Sequence, residues 1–220
     1  MNEADIDLCI ETNVADMFGF VTEYPLDVPW NLSRKRAAEL IKYVRESKKN
    51  NIECVIVTGG KIEKLISMLN SIKPDYIQLH YNENSETIKQ LQNSKTKIIK
   101  TVPINPEERF NQSGEYSIDK CSKKFERAGA DILLVDSRQP SNAAEKSKFL
   151  DEKFFNQVKN SVQIPTMAAG GINPENFKYI SETLKPDYID IMTGVEISPG
   201  HKSKTLLEKL KSEKENLKTS

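Results

Sequence analysis

Glycines that follow an apolar run and precede a helix cap make a backbone able to hold an anion, and this chain has two such places. The first reads Ala168-Ala169-Gly170-Gly171-Ile172-Asn173-Pro174-Glu175-Asn176. Adjacent glycines let the backbone approach a ligand closely, and free N–H groups there favour negative charge. The second reads Asp190-Ile191-Met192-Thr193-Gly194-Val195-Glu196, then Ser198-Pro199-Gly200. Singly, each reads as well as a glycine turn between a strand and a helix. At the ends of consecutive strands, Gly170, Gly171, Thr193 and Gly194, with Asp190 beside them, read together as a phosphate site. Acid–base chemistry has its own candidate in Leu133-Leu134-Val135-Asp136-Ser137. A partly buried carboxyl at a strand end can keep its proton and act as a general acid. A helix-capping or loop aspartate is the plainer alternative for Asp136. His80 ends the run Gln78-Leu79-His80 and either lines the same site or serves as a structural hydrogen-bonding group.

These residues need elements to hold them. Apolar runs at 16–21, 53–58, 75–79, 97–102, 131–135, 164–168 and 187–192 predict seven strands. Several are continuous, as parallel strands covered on both faces are. Amphipathic helices are expected between them, with Ser33, Ser85, Ser117 and Asn173 as N-caps and Gly129 at a C-terminal end. A last helix carries Leu206, Leu207 and Leu210 and is expected to fray into a charged tail at about 211–220. Such alternation implies parallel strands with right-handed crossovers, in an open doubly wound sheet or a closed barrel. One repeat favours the barrel. Lys73-Pro74-Asp75-Tyr76-Ile77 recurs 112 residues on as Lys185-Pro186-Asp187-Tyr188-Ile189, about half a barrel away. The expected fold is therefore α/β, a (β/α)₈ barrel in one domain spanning 1–220, with seven strands and eight helices. The chain opens on a helix, with Ile6, Cys9 and Ile10 on one face and Asn2 as its cap, so the barrel's first strand is missing from the count.

Composition narrows the function classes. Lys+Arg and Asp+Glu balance at 32 each, which gives no electrostatic footprint for nucleic acid or an acidic membrane. No apolar run approaches a membrane span, and the acidic start is not that of a signal peptide. Cys9, Cys54 and Cys121 have neither metal-ligand spacing nor an even count, which points to a reducing cytoplasm.

In this order the motifs resemble the phosphoribosylanthranilate isomerase family of tryptophan biosynthesis over nearly the whole chain. Gly19-Phe20-Val21 with Tyr24-Pro25 looks like that family's second strand and loop, and Asp75 through His80 like its fourth strand. The run 130–136 looks like its sixth strand, and 165–176 and 190–200 like its two phosphate loops. The resemblance implies an Amadori rearrangement of a ribosyl-phosphate amine, with no metal and no organic cofactor. It also implies Asp136 as general acid and Gly170, Gly171, Thr193 and Gly194 as phosphate binders. The partner is then a small phosphorylated sugar, with no nucleic acid and no membrane, and the enzyme a monomer or a homodimer.

The chain departs from the family in several places. The family opens on a strand reading Lys-Ile-Cys-Gly whose cysteine is the base, whereas Asn2-Glu3-Ala4-Asp5 matches the residues after that strand. Cys9 falls on the first helix and reads as core. Trp30 stands near the family's arginine for the anthranilate carboxylate, with Arg34 and Arg36 in the next helix. The family's Gly-Gly-Thr-Gly after its sixth strand is replaced by 138–144, and Tyr81 stands where a glycine usually comes after the histidine. Two explanations of the first strand stay open: an internal methionine taken as the start, or a diverged relative. Three functions stay open as well: the isomerase, a non-catalytic phosphosugar-binding barrel, and a barrel enzyme for another phosphorylated aldose.

Overall fold

A computed structural model describes residues 2–47, 51–137 and 150–219. The parallel sheet runs β1 (Met17–Val21), β2 (Glu53–Thr58), β3 (Tyr76–Leu79), β4 (Lys97–Thr101), β5 (Ile132–Asp136), β6 (Thr166–Ala169) and β7 (Tyr188–Ile189). Neighbours in sequence are neighbours in the sheet, from β1 at one edge to β7 at the other. Around it lie α1 (Glu3–Thr12), α2 (Arg34–Glu46), α3 (Ile62–Ile72), α4 (Ser85–Leu91), α5 (Pro106–Ser113), α6 (Ile118–Ala128), α7 (Glu152–Ser161), α8 (Phe177–Thr183) and α9 (Lys204–Thr219). A small antiparallel pair, β8 (Glu196–Ser198) and β9 (His201–Lys202), comes after β7.

Strand alternation sorts the core into two layers. Val55, Tyr76, Ile99, Ile132, Leu134 and Met167 pack on one another on the concave face. Phe18, Phe20, Ile56, Ile77, Leu133 and Phe155 belong to the larger cluster between sheet and helices. Among the described residues this is the arrangement of a (β/α)₈ barrel with seven strands: β1 and β7 each pair on one side only, and no strand forms within residues 2–10.

The pentapeptide repeat is structural. Lys73 and Lys185 both adopt left-handed φ, at 52° and 48°, and turn the chain out of a helix. Each following aspartate then clamps the preceding strand. Asp75 Oδ2 accepts the Cys54 N–H at 2.8 Å, and Asp187 Oδ2 accepts the Thr166 N–H at 2.8 Å. Arg45 caps the Lys73 carbonyl as Lys159 caps that of Lys185. Asp131, outside the repeat, clamps the Ile98 N–H in the same way at 2.7 Å. Leaving a partly buried N–H without its acceptor costs about 1–3 kcal/mol. Asp75→Ala and Asp187→Ala should each lower unfolding free energy by about that amount in urea titrations, and equal stability of variant and parent would refute the clamp.

Some expectations need correction. The described residues hold nine α-helices, not eight. Asn105, Pro106 at the first position and left-handed Gly114 delimit α5 as a helix of its own before α6. Asn84, one residue earlier than expected, caps α4 through the Thr87 N–H. Asn173 starts a turn rather than α8, whose N-cap residue is Asn176. The charged tail does not fray, since α9 continues to Thr219. Leu217 packs on the core, and Lys214 donates to the Val14 carbonyl and to Asp16. The expected caps Asn2, Ser33, Ser117 and Gly129 are all found in place. Residues 138–144 lie outside the described residues.

Candidate active site

Asp136 is the last residue of β5, and its side chain, 10% exposed, meets that of His80 just beyond β3, 13% exposed. His80 Nε2 and Asp136 Oδ2 are 3.2 Å apart. The two elements are separated in the sheet by β4, so the contact spans the concave face. Which of the two atoms donates depends on the imidazole tautomer and on where the pair's proton sits. A carboxyl group and an imidazole in contact can take up a proton and release it to a ligand.

The loops around the pair are bound to one another. The Tyr24 hydroxyl donates to the His80 carbonyl at 2.9 Å, and burial first, then Glu83, pushes its pKa well above the usual phenol range. Tyr24 and Tyr81 meet edge to face with centroids 6.2 Å apart. Glu83 is 2% exposed and accepts from the Gly60 N–H at 2.7 Å and the Tyr81 N–H at 3.1 Å. Lys64 donates to the carbonyls of Glu23 and Gly59. Glu83 gives no signal in the sequence, because the Gly60 N–H that it binds lies on a loop 23 residues earlier.

The two glycine segments are also brought together. A Cβ on Gly194 would lie 1.9 Å from the Ile172 carbonyl oxygen, so the loop after β7 rests directly on the loop after β6. Gly170 has φ +96°, and a Cβ there would lie 2.0 Å from Ser137 Oγ, just past Asp136. Gly171, also left-handed at φ 66°, is held by Asn176, whose amide donates to its carbonyl at 3.0 Å. Thr193 opens a 3₁₀ turn, Thr193–Val195. Below this turn Lys202 forms a buried ion pair with Glu196 at 3.0 Å and donates to the Met192 carbonyl at 3.0 Å.

A cavity of about 440 Å³ opens on the concave face. Asp136, His80 and Asp190 line it. Gly170 and Gly171 come directly after its lining residue Ala169, and Thr193 and Gly194 after Met192, without forming its walls. The cavity continues between the edges of β1 and β7, past Gly19 and Ile189, to Cys9, Leu207 and Leu210. Trp30 and Val28, from the loop after β1, line it as well. Arg34 and Arg36 do not: Arg34 pairs with Glu23 and Ser67, and Arg36 with Glu3 and Glu39. Among the described residues no group of three or more His, Cys, Asp or Glu is placed to hold a metal. No helix among them is long and apolar enough to cross a membrane.

Cys9, Cys54 and Cys121 are buried free thiols. Burial pushes Cys9 up to about 11, Lys202 opposing and Asp5 adding to it. At neutral pH it is therefore a thiol, and a poor base. Cys9→Ala should leave turnover unchanged, at a stability cost of about 1 kcal/mol for the lost contact; loss of turnover on this change would mean that Cys9 does the proton abstraction.

Residues 28–213 match the sequence profile of the family described as N-(5'phosphoribosyl)anthranilate (PRA) isomerase. The chain belongs to this family. An N-(5'-phosphoribosyl)anthranilate isomerase of Parabacteroides distasonis is 30% identical over 159 residues, 71% of this chain and 65% of that protein. That of Methanocaldococcus jannaschii is 27% identical over 190 residues, 84% of this chain and 80% of that protein. Among solved structures, phosphoribosyl anthranilate isomerase from Thermus thermophilus superposes with a TM-score of 0.77 at 20% identity, over 99% of this chain and 96% of that one. The enzyme from Thermotoga maritima gives 0.74 at 20% identity, over 98% and 95%. A phosphoribosyl anthranilate isomerase solved with reduced 1-(o-carboxyphenylamino)-1-deoxyribulose 5-phosphate gives 0.71, also at 20%, over 98% and 94%. These likenesses identify the parallel sheet and its helices as the family's (β/α)₈ barrel fold.

Proposed function

We propose that this chain is an aldose–ketose isomerase of tryptophan biosynthesis, converting N-(5'-phosphoribosyl)anthranilate to the carboxyphenylamino-deoxyribulose phosphate. The observation that carries the reading is the Asp136–His80 pair inside a cavity whose neighbouring strand ends bear two glycine loops packed on each other. The phosphate is held by backbone N–H groups at Gly170, Gly171, Thr193 and Gly194. Asp190, on the cavity wall, faces the sugar. Asp136 delivers a proton to the furanose ring oxygen as the C1–O bond breaks, and the amine nitrogen lone pair forms the C=N bond of a Schiff base. A base then takes the proton from C2, giving an enolamine that tautomerises to the ketone. His80 holds the Asp136 carboxyl and lies next to the reacting carbons. Ring opening and enolamine formation are both driven by proton transfers, which ask for no metal and no organic cofactor. The partner is the phosphorylated sugar alone, neither nucleic acid nor membrane, and the enzyme works in the cytoplasm as a monomer or a homodimer.

Calorimetry tests the phosphate half of this reading without depending on turnover. The reduced deoxyribulose 5-phosphate compound should bind, and the same compound without its phosphate should bind at least tenfold more weakly, a difference of about 1.4 kcal/mol. Equal affinity for the two would refute the glycine loops as an anion site.

A further inference from the structure

Once the phosphate is assigned to the glycine loops and the reacting carbons to Asp136 and His80, the aglycone needs a wall of its own, and the loop after β1 supplies it. That loop is a closed ring. Leu32 N–H donates to the Val21 carbonyl and Glu23 N–H to the Leu32 carbonyl, both at 2.9 Å. The Asn31 amide grips both backbone groups of Tyr24, accepting at 2.8 Å and donating at 3.1 Å. Between Val28 and Asn31, which are joined by a 3.1 Å backbone bond, stands Trp30. Its indole Nε1–H is buried and has no acceptor among the described residues. The Trp30 side chain lines the same cavity as Asp136 and His80, and Tyr24 ties this ring to His80.

The arginines of the helix after this loop and the lysines of the cavity are already committed. Arg34 and Arg36 have carboxylate partners, and so do the cavity lysines Lys202 and Lys214. A ligand carboxylate arriving at Trp30 thus meets one neutral donor and no unpaired cation among these four. A neutral donor serves a neutral acceptor about as well, since the extra gain of an ion pair is missing.

We propose that Trp30 determines aglycone specificity, its ring covering the aryl group and its N–H bonding an ortho acceptor whether or not that acceptor is charged, so that the chain also takes ribosyl-phosphate arylamines with a neutral carboxamide. This rests on the isomerase reading above. The test is calorimetry of the 220-residue chain with three reduced deoxyribulose 5-phosphate compounds, bearing o-carboxyphenyl, o-carboxamidophenyl and unsubstituted phenyl groups. The first two should bind within about threefold of each other, and the third about tenfold more weakly, as one hydrogen bond is lost. Trp30→Phe should bring the first two to the level of the third and leave the third unchanged, which separates the lost donor from damage to the fold. Trp30→Arg should restore a preference of about tenfold or more for the carboxylate. A parent preference of about thirtyfold or more for the carboxylate over the carboxamide, or three affinities untouched by Trp30→Phe, overturns the inference while the isomerase reading stands. Absence of binding by all three overturns both.

Discussion

Extending the chain at its N-terminus by a short strand, Lys-Ile-Cys-Gly in register with β1 and β7, should raise isomerase turnover by about 10²–10⁴-fold, the contribution typical of one well-placed general base. The cavity runs between the two sheet edges, and among the described residues both edges have one ladder side unused. A parallel strand there satisfies both and covers the apolar floor of Cys9, Leu207 and Leu210, so pairing and burial act together. Its inward cysteine would face the same concave space as Asp136. Cys9 cannot take that part while burial holds its thiol near 11. The readout is loss of the fluorescence of N-(5'-phosphoribosyl)anthranilate, with the same extension carrying serine for cysteine as control. Equal rates with cysteine and serine, together with intact phosphosugar binding, would mark the chain as a phosphosugar-binding barrel.

The second large effect concerns the acid. Asp136→Asn in the extended chain should lower turnover by about 10²–10⁴-fold while leaving affinity for the reduced phosphate compound within a few fold. An amide has the carboxyl's shape but no proton of suitable acidity, so ring opening suffers and the glycine loops do not. His80→Gln, which touches the acid rather than the ring oxygen, should cost less. A variant with asparagine at 136 that turns over at the parent rate would remove Asp136 from the chemistry.

Much of the fold and of the site is legible in the sequence because it is local. The strand runs, the caps at Asn2, Ser33 and Ser117, and the glycine loops are each set by residues within a few positions of one another. Even the pentapeptide repeat is visible, although its meaning is not. The aspartate of each copy acts on a strand 21 residues away, a partnership that spacing alone does not reveal. Asp136 and His80 each fall at strand ends by pattern, but their 3.2 Å contact depends on sheet curvature. Arg34 looks available in the sequence, whereas Glu23 and Ser67 hold it in the fold. The end of α9 differs from expectation for a related reason: Lys214 reads as solvated tail, yet its partners Val14 and Asp16 lie some 200 residues earlier. Long-range pairing of polar side chains is what local patterns leave out.

The most direct test is a structure of this chain with the reduced 1-(o-carboxyphenylamino)-1-deoxyribulose 5-phosphate. The phosphate oxygens should lie about 3 Å from the backbone nitrogens of Gly171 and Gly194, with C1 and C2 beside Asp136 and the aryl ring against Trp30. A phosphate bound away from both glycine loops, or sugar carbons out of reach of Asp136, would contradict the assignment of this cavity as an isomerase site.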